Sequence, residues 1–166
     1  MSSSARSLRQ MTHNLTHPPP RGHLPELLDE PGHDPGELAA NFRDIRRVNQ
    51  LLGGTALILR HLPRLLAAAP DRQRPVTVLD LATGCADIPL AIARWADRAR
   101  QPLTIIASDA SPAVLDLARS AVAGCPNIEL AEYDARAVPL PDHSVDIVLC
   151  SLSLHHFTPE DAVRVL

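Results

Sequence analysis

Three carboxylates stand at the ends of successive apolar runs, and their setting suits the polar groups of a nucleotide-type ligand. Asp80 closes the run VTVLD, Asp109 closes LTIIASD, and Asp134 follows IELAEY. After Asp80 comes a turn of small residues, Ala82, Thr83, Gly84, Cys85 and Ala86. Short side chains let the backbone pass close to a ligand there. Gly84 is the one glycine between Gly54 and Gly124, so its place in this turn is not compositional noise. Asp109 follows it by 25 residues, a spacing suited to a carboxylate that accepts ribose hydroxyls. His155 and His156, after a fourth apolar run, are candidate bases. One such acid alone reads as a polar strand end; three of them with the turn read as a site.

The elements that position these groups can be read from periodicity. Leu38, Phe42, Ile45, Val48 and Leu52 recur at helical steps, predicting a helix over Glu37–Leu52 that ends at Gly53-Gly54. A second helix is expected from about Thr55 to Ala69, with Pro63 as a kink. After Pro75 the rhythm becomes strand, helix, strand, helix. The strands are expected at Val76–Leu81, Leu103–Ser108, Asn127–Tyr133 and Val145–Ser151, each mostly apolar, as in strands buried on both faces of a parallel sheet. Pro89 is expected to open the helix after the small-residue turn. Ser111-Pro112 caps Val114–Val122, and Thr158-Pro159-Glu160-Asp161 opens a last helix. The pattern is that of an α/β, doubly wound, mostly parallel sheet. In such sheets ligands bind beyond the carboxyl ends of the strands, where all three acids belong.

Composition narrows the rest. At 166 residues the chain holds one α/β domain. A net charge of −3 without charge blocks, and four aromatic residues, give no reason to expect nucleic acid as a partner. No run reaches membrane-spanning length, and the N-terminus lacks the apolar core of a signal peptide. Cys85, Cys125 and Cys150 lack metal-ligand spacing, so no metal is expected and a reducing, cytoplasmic setting is. Residues 1–35 hold six prolines and no apolar period, predicting a disordered tail. Residues 36–70 are expected to form a helical segment, and 71–166 the ligand-binding domain. The chain stops inside the helix after the fourth strand, so the expectation is an incomplete domain with its C-terminal strands missing.

VLDLATGCAD, IIASDASPAVLDLAR and AEYDARAVPLPDHSVDIVLCSLSLHHF together resemble the class I S-adenosylmethionine-dependent methyltransferases of Rossmann-like fold. Within them the chain is most similar to the ubiquinone/menaquinone C-methyltransferase group. The resemblance spans about residues 40–166. It implies S-adenosyl-L-methionine as cofactor and a small-molecule methyl acceptor: a quinone-like, phenolic or polyketide ring methylated at carbon or oxygen. It implies that Asp80 orients the loop and holds the methionine amino group, with backbone from Ala82, Thr83, Gly84 and Cys85 to Ala86 beneath the methionine. Asp109, beside Ala110, would bind the ribose, Asp134 and the Ala135 backbone the adenine edge, and Ser151 would lie under the donated methyl. His156 or His155 would serve as base. The leading helix, with Arg43, Arg46, Arg47 and Asn49, would form part of a lid.

The turn departs from the family's glycine pattern, because Ala82 and Ala86 stand where outer glycines are usual. Each alanine is expected to fit only with ordinary backbone angles. Two other readings stay open. A nicotinamide-dependent oxidoreductase shares the strand, turn and acid, but wants a different glycine spacing and leaves Asp134 unexplained. A non-catalytic remnant that binds cofactor or a partner chain is the other. Oligomeric state is not legible.

Overall fold

The computed structural model describes residues 36, 40–45, 53–69 and 74–166. The expected tail over 1–35 lies outside these residues, as do 37–39 and 46–52 of the expected leading helix, Arg46, Arg47 and Asn49 among them. Residues 40–45 are helical. Gly53, at φ 76°, makes the left-handed turn into helix α1, Gly54–Ala68, which runs on through Pro63. The order is then β1 (Val76–Leu81), α2 (Asp87–Ala99), β2 (Leu103–Asp109), α3 (Pro112–Val122), β3 (Ile128–Glu132) and β4 (Ile147–Cys150). A 3₁₀ turn (Leu154–His156) and α4 (Pro159–Val165) follow.

The helix starts follow local chemistry. The Ser111 hydroxyl accepts the Val114 N–H, the Thr158 hydroxyl accepts the Asp161 N–H, and a proline stands in the first turn of each helix. Helix α2 differs from expectation. It begins at Asp87, so Pro89 is its third residue rather than its first. The proline is tolerated there because the first four N–H groups of a helix have no helical acceptor.

All strand pairings are parallel, in the order β3-β2-β1-β4. The chain winds outward from β1 through β2 to β3, then returns to lay β4 on the other side of β1. The direction of winding therefore reverses between β1 and β4, and the crevice beyond their carboxyl ends is where such sheets bind ligands. Strand β1 is buried on both faces. Val76 and Val78 join Leu62 and Leu66 of α1, Ile92 and Ala96 of α2, and Ile105 of β2 in the larger core. Leu79 and Leu81 join Ala135, with Tyr133, Leu140, Val145 and Phe157 packed around them, on the opposite face.

Asp146 fixes the amino end of the β1–β4 pair. Its carboxylate takes both Arg74 guanidinium nitrogens at 2.8 Å and the Thr77 N–H at 2.8 Å, while its own N–H donates to the Thr77 carbonyl. These contacts, the Arg74 bonds foremost, hold the carboxyl below its ordinary value. The Asp146 side chain is 2% exposed and that of Arg74 42%. Asp146→Ala is therefore expected to cost about 1–3 kcal/mol, because a shielded N–H loses its acceptor. Arg74→Ala should cost less than about 1 kcal/mol, as for a half-exposed ion pair. Denaturant unfolding of the two variants checks this, and equal losses would assign the clamp to the ion pair instead.

Candidate functional site

The turn after β1 is gripped from below by two carboxylates that hold consecutive residues. The Thr83 hydroxyl donates to Asp80 at 2.6 Å, and the Gly84 N–H donates to Asp109 Oδ2 at 3.0 Å. Asp109 Oδ1 accepts the Ser111 N–H at 3.0 Å, so this acid joins the turn to the start of α3. Ser108, fully buried on β2, completes the frame. Its carbonyl accepts the Thr83 N–H at 2.8 Å and its hydroxyl donates to the Asp80 carbonyl at 3.1 Å.

Asp80 is 2% exposed. Burial pushes its carboxyl up to about 7 from an ordinary 3.8; the Thr83 hydroxyl opposes that rise and the Asp109 charge adds to it. Asp109 is also raised by burial, against the backbone N–H groups of Ser111, Gly84 and Ala110. Among the described residues Thr83 supplies the one hydrogen bond to the Asp80 carboxyl, which leaves an oxygen for a cationic donor. Asp109 receives neutral backbone donors and keeps lone pairs for hydroxyls. Such a pair fits a ligand carrying an ammonium group and a ribose.

The backbone of the turn corrects an expectation. Ala82 and Ala86 do not take ordinary angles; both are left-handed, at φ 51° and 59°. Each therefore carries strain of about 1–2 kcal/mol that glycine would avoid. Ala86 is fully buried and its methyl belongs to the larger core, which offsets part of that cost. Gly84 is left-handed as well, at φ 58°. It differs from the two alanines in its neighbour: a Cβ on Gly84 would lie 3.2 Å from Cε1 of Phe42. The helical stretch at 40–45 thus rests an aromatic ring directly on the turn. Its Arg43 is exposed.

The remaining expected site residues spread along the same sheet edge. Cys85 is half-buried in the turn, and Ala110 is exposed just after β2. Ala135 is 9% exposed, within the second core. Asp134 does not face solvent alone, because Arg136 wraps back onto it. Arg136 donates its N–H to Oδ1 at 2.9 Å, Nε to Oδ1 at 2.9 Å and to Oδ2 at 3.2 Å, and Nη2 to Oδ2 at 2.7 Å. These bonds pull Asp134 down to about 2. Past β4, Ser151 is half-buried, and Leu152 is left-handed at φ 63° with its side chain 53% exposed. Ser153 is 6% exposed, its hydroxyl 3.1 Å from Cys150 Sγ. His155 and His156 follow in the 3₁₀ turn, both exposed, with ring centroids 4.1 Å apart.

Sequence reasoning did not single out Phe42, Thr83 as a donor to Asp80, Ser108 or Arg136. Arg136 carried a readable signal: a guanidinium two residues after an acid can reach back to it.

A parallel sheet with β1 at the winding reversal, a small-residue turn and an acid at the end of β2 define a Rossmann-like α/β domain. Residues 78–166 match the methyltransferase domain family, and the chain belongs to it. An uncharacterized methyltransferase-like protein of Schizosaccharomyces pombe is 41% identical over 66 residues, which is 40% of this chain and 25% of that protein. The chain thus spans about a quarter of that relative's length. Among solved structures, the S-adenosylmethionine-dependent methyltransferase SibL is 25% identical, with a TM-score of 0.53 over 81% of this chain and 39% of its own. A S-adenosylmethionine-dependent methyltransferase from Aquifex aeolicus, 16% identical, shares the fold with a TM-score of 0.52 over 81% of this chain and 65% of its own. Fold and family are those of the class I methyltransferases. No helix among the described residues is long and apolar enough to cross a membrane.

Two predictions test the turn. Because Asp80 is raised above its unfolded value, the folded protein holds this proton more tightly than the unfolded chain. Its contribution is fully present below about pH 4 and is lost as pH rises towards 7. Asp80→Asn should therefore flatten the fall in stability between these limits, by a few kcal/mol at most. Thermal unfolding at pH 4.5 and 8, on scales of about 3 pH units, reads this out; an unchanged pH slope would assign Asp80 an ordinary carboxyl. Gly84→Ala should cost about 1–2 kcal/mol. If the Phe42 ring supplies part of that cost, Phe42→Ala will recover it in the double variant, with a coupling of about 0.5 kcal/mol or more. Simple additivity would leave backbone strain as the whole effect.

Proposed function

We propose that this chain binds S-adenosyl-L-methionine in the crevice between β1 and β4 and directs its methyl group to a small-molecule nucleophile. The observation that carries this reading is the grip of Asp80 and Asp109 on Thr83 and Gly84. It supplies a buried acid for an ammonium and a second acid for hydroxyls on either side of one turn. Family membership supports the cofactor.

Asp80 holds the methionine ammonium, and the arriving cation restores the carboxylate's charge in a site where burial disfavours it. Asp109 accepts the ribose hydroxyls with the lone pairs that Gly84 and Ser111 leave over. Ala82, Thr83, Gly84 and Cys85 form the floor of the methionine subsite, Ala110 borders the ribose, and Asp134 with Ala135 faces the adenine. When bound, the cofactor supplies a methyl carbon on a positively charged sulfur, open to in-line displacement. The protein's part is orientation and exclusion of water. Phe42 covers the turn from the lid side. Ser151 lines the approach to the methyl group, and His156 or His155 takes a proton from a phenolic or enolic acceptor. A quinone-like, phenolic or polyketide ring matches such a base.

Calorimetry with S-adenosylmethionine, S-adenosylhomocysteine and NAD separates this reading from an oxidoreductase. Binding of the first two is expected, and Asp109→Ala should weaken it about tenfold or more. Binding of NAD alone would sink the proposal. In a methyl-transfer assay His156→Gln is expected to lower kcat by about 10² with little change in KM, and an unchanged rate across pH would remove the histidine from the chemistry.

A further inference from the structure

We propose that Arg136 is a positioning residue of the adenine subsite: it pre-orients the Asp134 carboxylate so that the site reads the purine 6-amino group. This inference rests on the reading above that Asp134 faces adenine. It adds a residue that the turn and the acids do not account for.

The geometry is specific. Asp134 and Arg136 make four hydrogen bonds within three residues, both oxygens being engaged by the guanidinium and one also by the Arg136 N–H. The guanidinium is steered from behind as well. Its Nη1 lies 3.8 Å from Asp161 in the first turn of α4, and Asp161 is itself held by Arg164 at 3.3 Å. Asp161 in turn is set by the capping of that helix, its N–H donating to Thr158 Oγ1 at 3.1 Å. Ala135, between acid and base in sequence, is buried in the second core and ties the backbone down. The result is a carboxylate at the sheet edge, 41% exposed in its side chain, with both oxygens engaged by one guanidinium.

This engagement matters because a free surface carboxylate must surrender rotamer freedom when it binds a ligand, and a ligand that covers it must strip its water. Arg136 meets both costs in advance, by fixing the rotamer and by balancing the charge that adenine would cover. The longest contact, Nε to Oδ2 at 3.2 Å, is the bond that an entering amino donor replaces. Nε keeps Oδ1 at 2.9 Å and Oδ2 keeps Nη2 at 2.7 Å. An ionised carboxylate only accepts hydrogen bonds. It therefore gains nothing from the oxygen of a 6-oxo purine, whose one donor on that edge is displaced to N1, and the benefit of aiming it at position 6 falls on the 6-amino ligand.

Calorimetry of the whole chain with S-adenosylhomocysteine and S-inosylhomocysteine, which differ at position 6 and in the proton that the 6-oxo ring carries on N1, tests the proposal. The unaltered chain should prefer the amino compound, and Asp134→Asn should weaken its binding. Arg136→Met should lower affinity for S-adenosylhomocysteine about five- to tenfold and leave S-inosylhomocysteine within about twofold, narrowing the preference. Equal weakening of both ligands marks Arg136 as structural and overturns the proposal. So does unchanged or tighter binding of the amino compound, which would make Arg136 inert or a competitor for Asp134. If the unaltered chain binds neither ligand, or Asp134→Asn binds as well as it does, the underlying assignment of the adenine subsite fails first.

Discussion

The site depends on burying a carboxylate where no cation among the described residues meets it. Asp80 stands in the central strand with apolar neighbours on both faces, and its one hydrogen-bond donor among the described residues is the neutral Thr83 hydroxyl. In an ordinary core such a group would be replaced or paired, because an ionised carboxylate loses far more by desolvation than one hydroxyl returns. Among the described residues it persists without a basic partner and beside a second, partly buried acid, an arrangement that disfavours its charge twice over. On the proposed reading, the ammonium of the ligand completes it. The turn, its two clamped residues and the opening of α2 are arranged around that deficit.

The strained turn follows from the same constraint. To bring Thr83 back over Asp80 and Gly84 over Asp109, the backbone goes left-handed at Ala82, Gly84 and Ala86 within five residues. Two of the three positions tolerate a methyl despite the strain. At the third, Gly84, the same left-handed angle is joined by a close neighbour, Phe42. Glycine counts alone would therefore misjudge this loop, since conformation and space are separate demands that coincide only at Gly84.

This explains which parts were legible in the sequence. Strands buried on both faces announce themselves as apolar runs, so β1 was placed to the residue and the other strands to within two. The serine-proline and threonine-proline caps are written in adjacent residues, and they were placed too. The acids could be assigned to the carboxyl edge because strand polarity fixes it. Asp146 and Arg136 escaped for opposite reasons. Asp146 lies in a string that reads as part of the site, yet it works at the other end of the sheet, clamping β4 to β1 through a residue 72 positions away. Arg136 makes local bonds to an acid two residues upstream, but its further contact with Asp161 depends on where α4 returns. The backbone angles of Ala82 and Ala86 were misjudged because they are imposed from outside the turn, by the hydrogen bonds to Asp80, Ser108 and Asp109.

The two halves of the crevice are therefore built on different principles. At the ends of β1 and β2 the polarity is carried by two carboxylates, Asp80 buried and Asp109 partly so, both raised by burial. In the loop after β3, the acid is already satisfied by a guanidinium, and that guanidinium also reaches the first turn of α4, just past the 3₁₀ turn that carries the histidines. A ligand spanning both halves would gain its electrostatic energy at Asp80 and Asp109 and its selectivity at Asp134. The Arg136–Asp161 contact places the loop after β3 and the first turn of α4 in one chain of charged contacts.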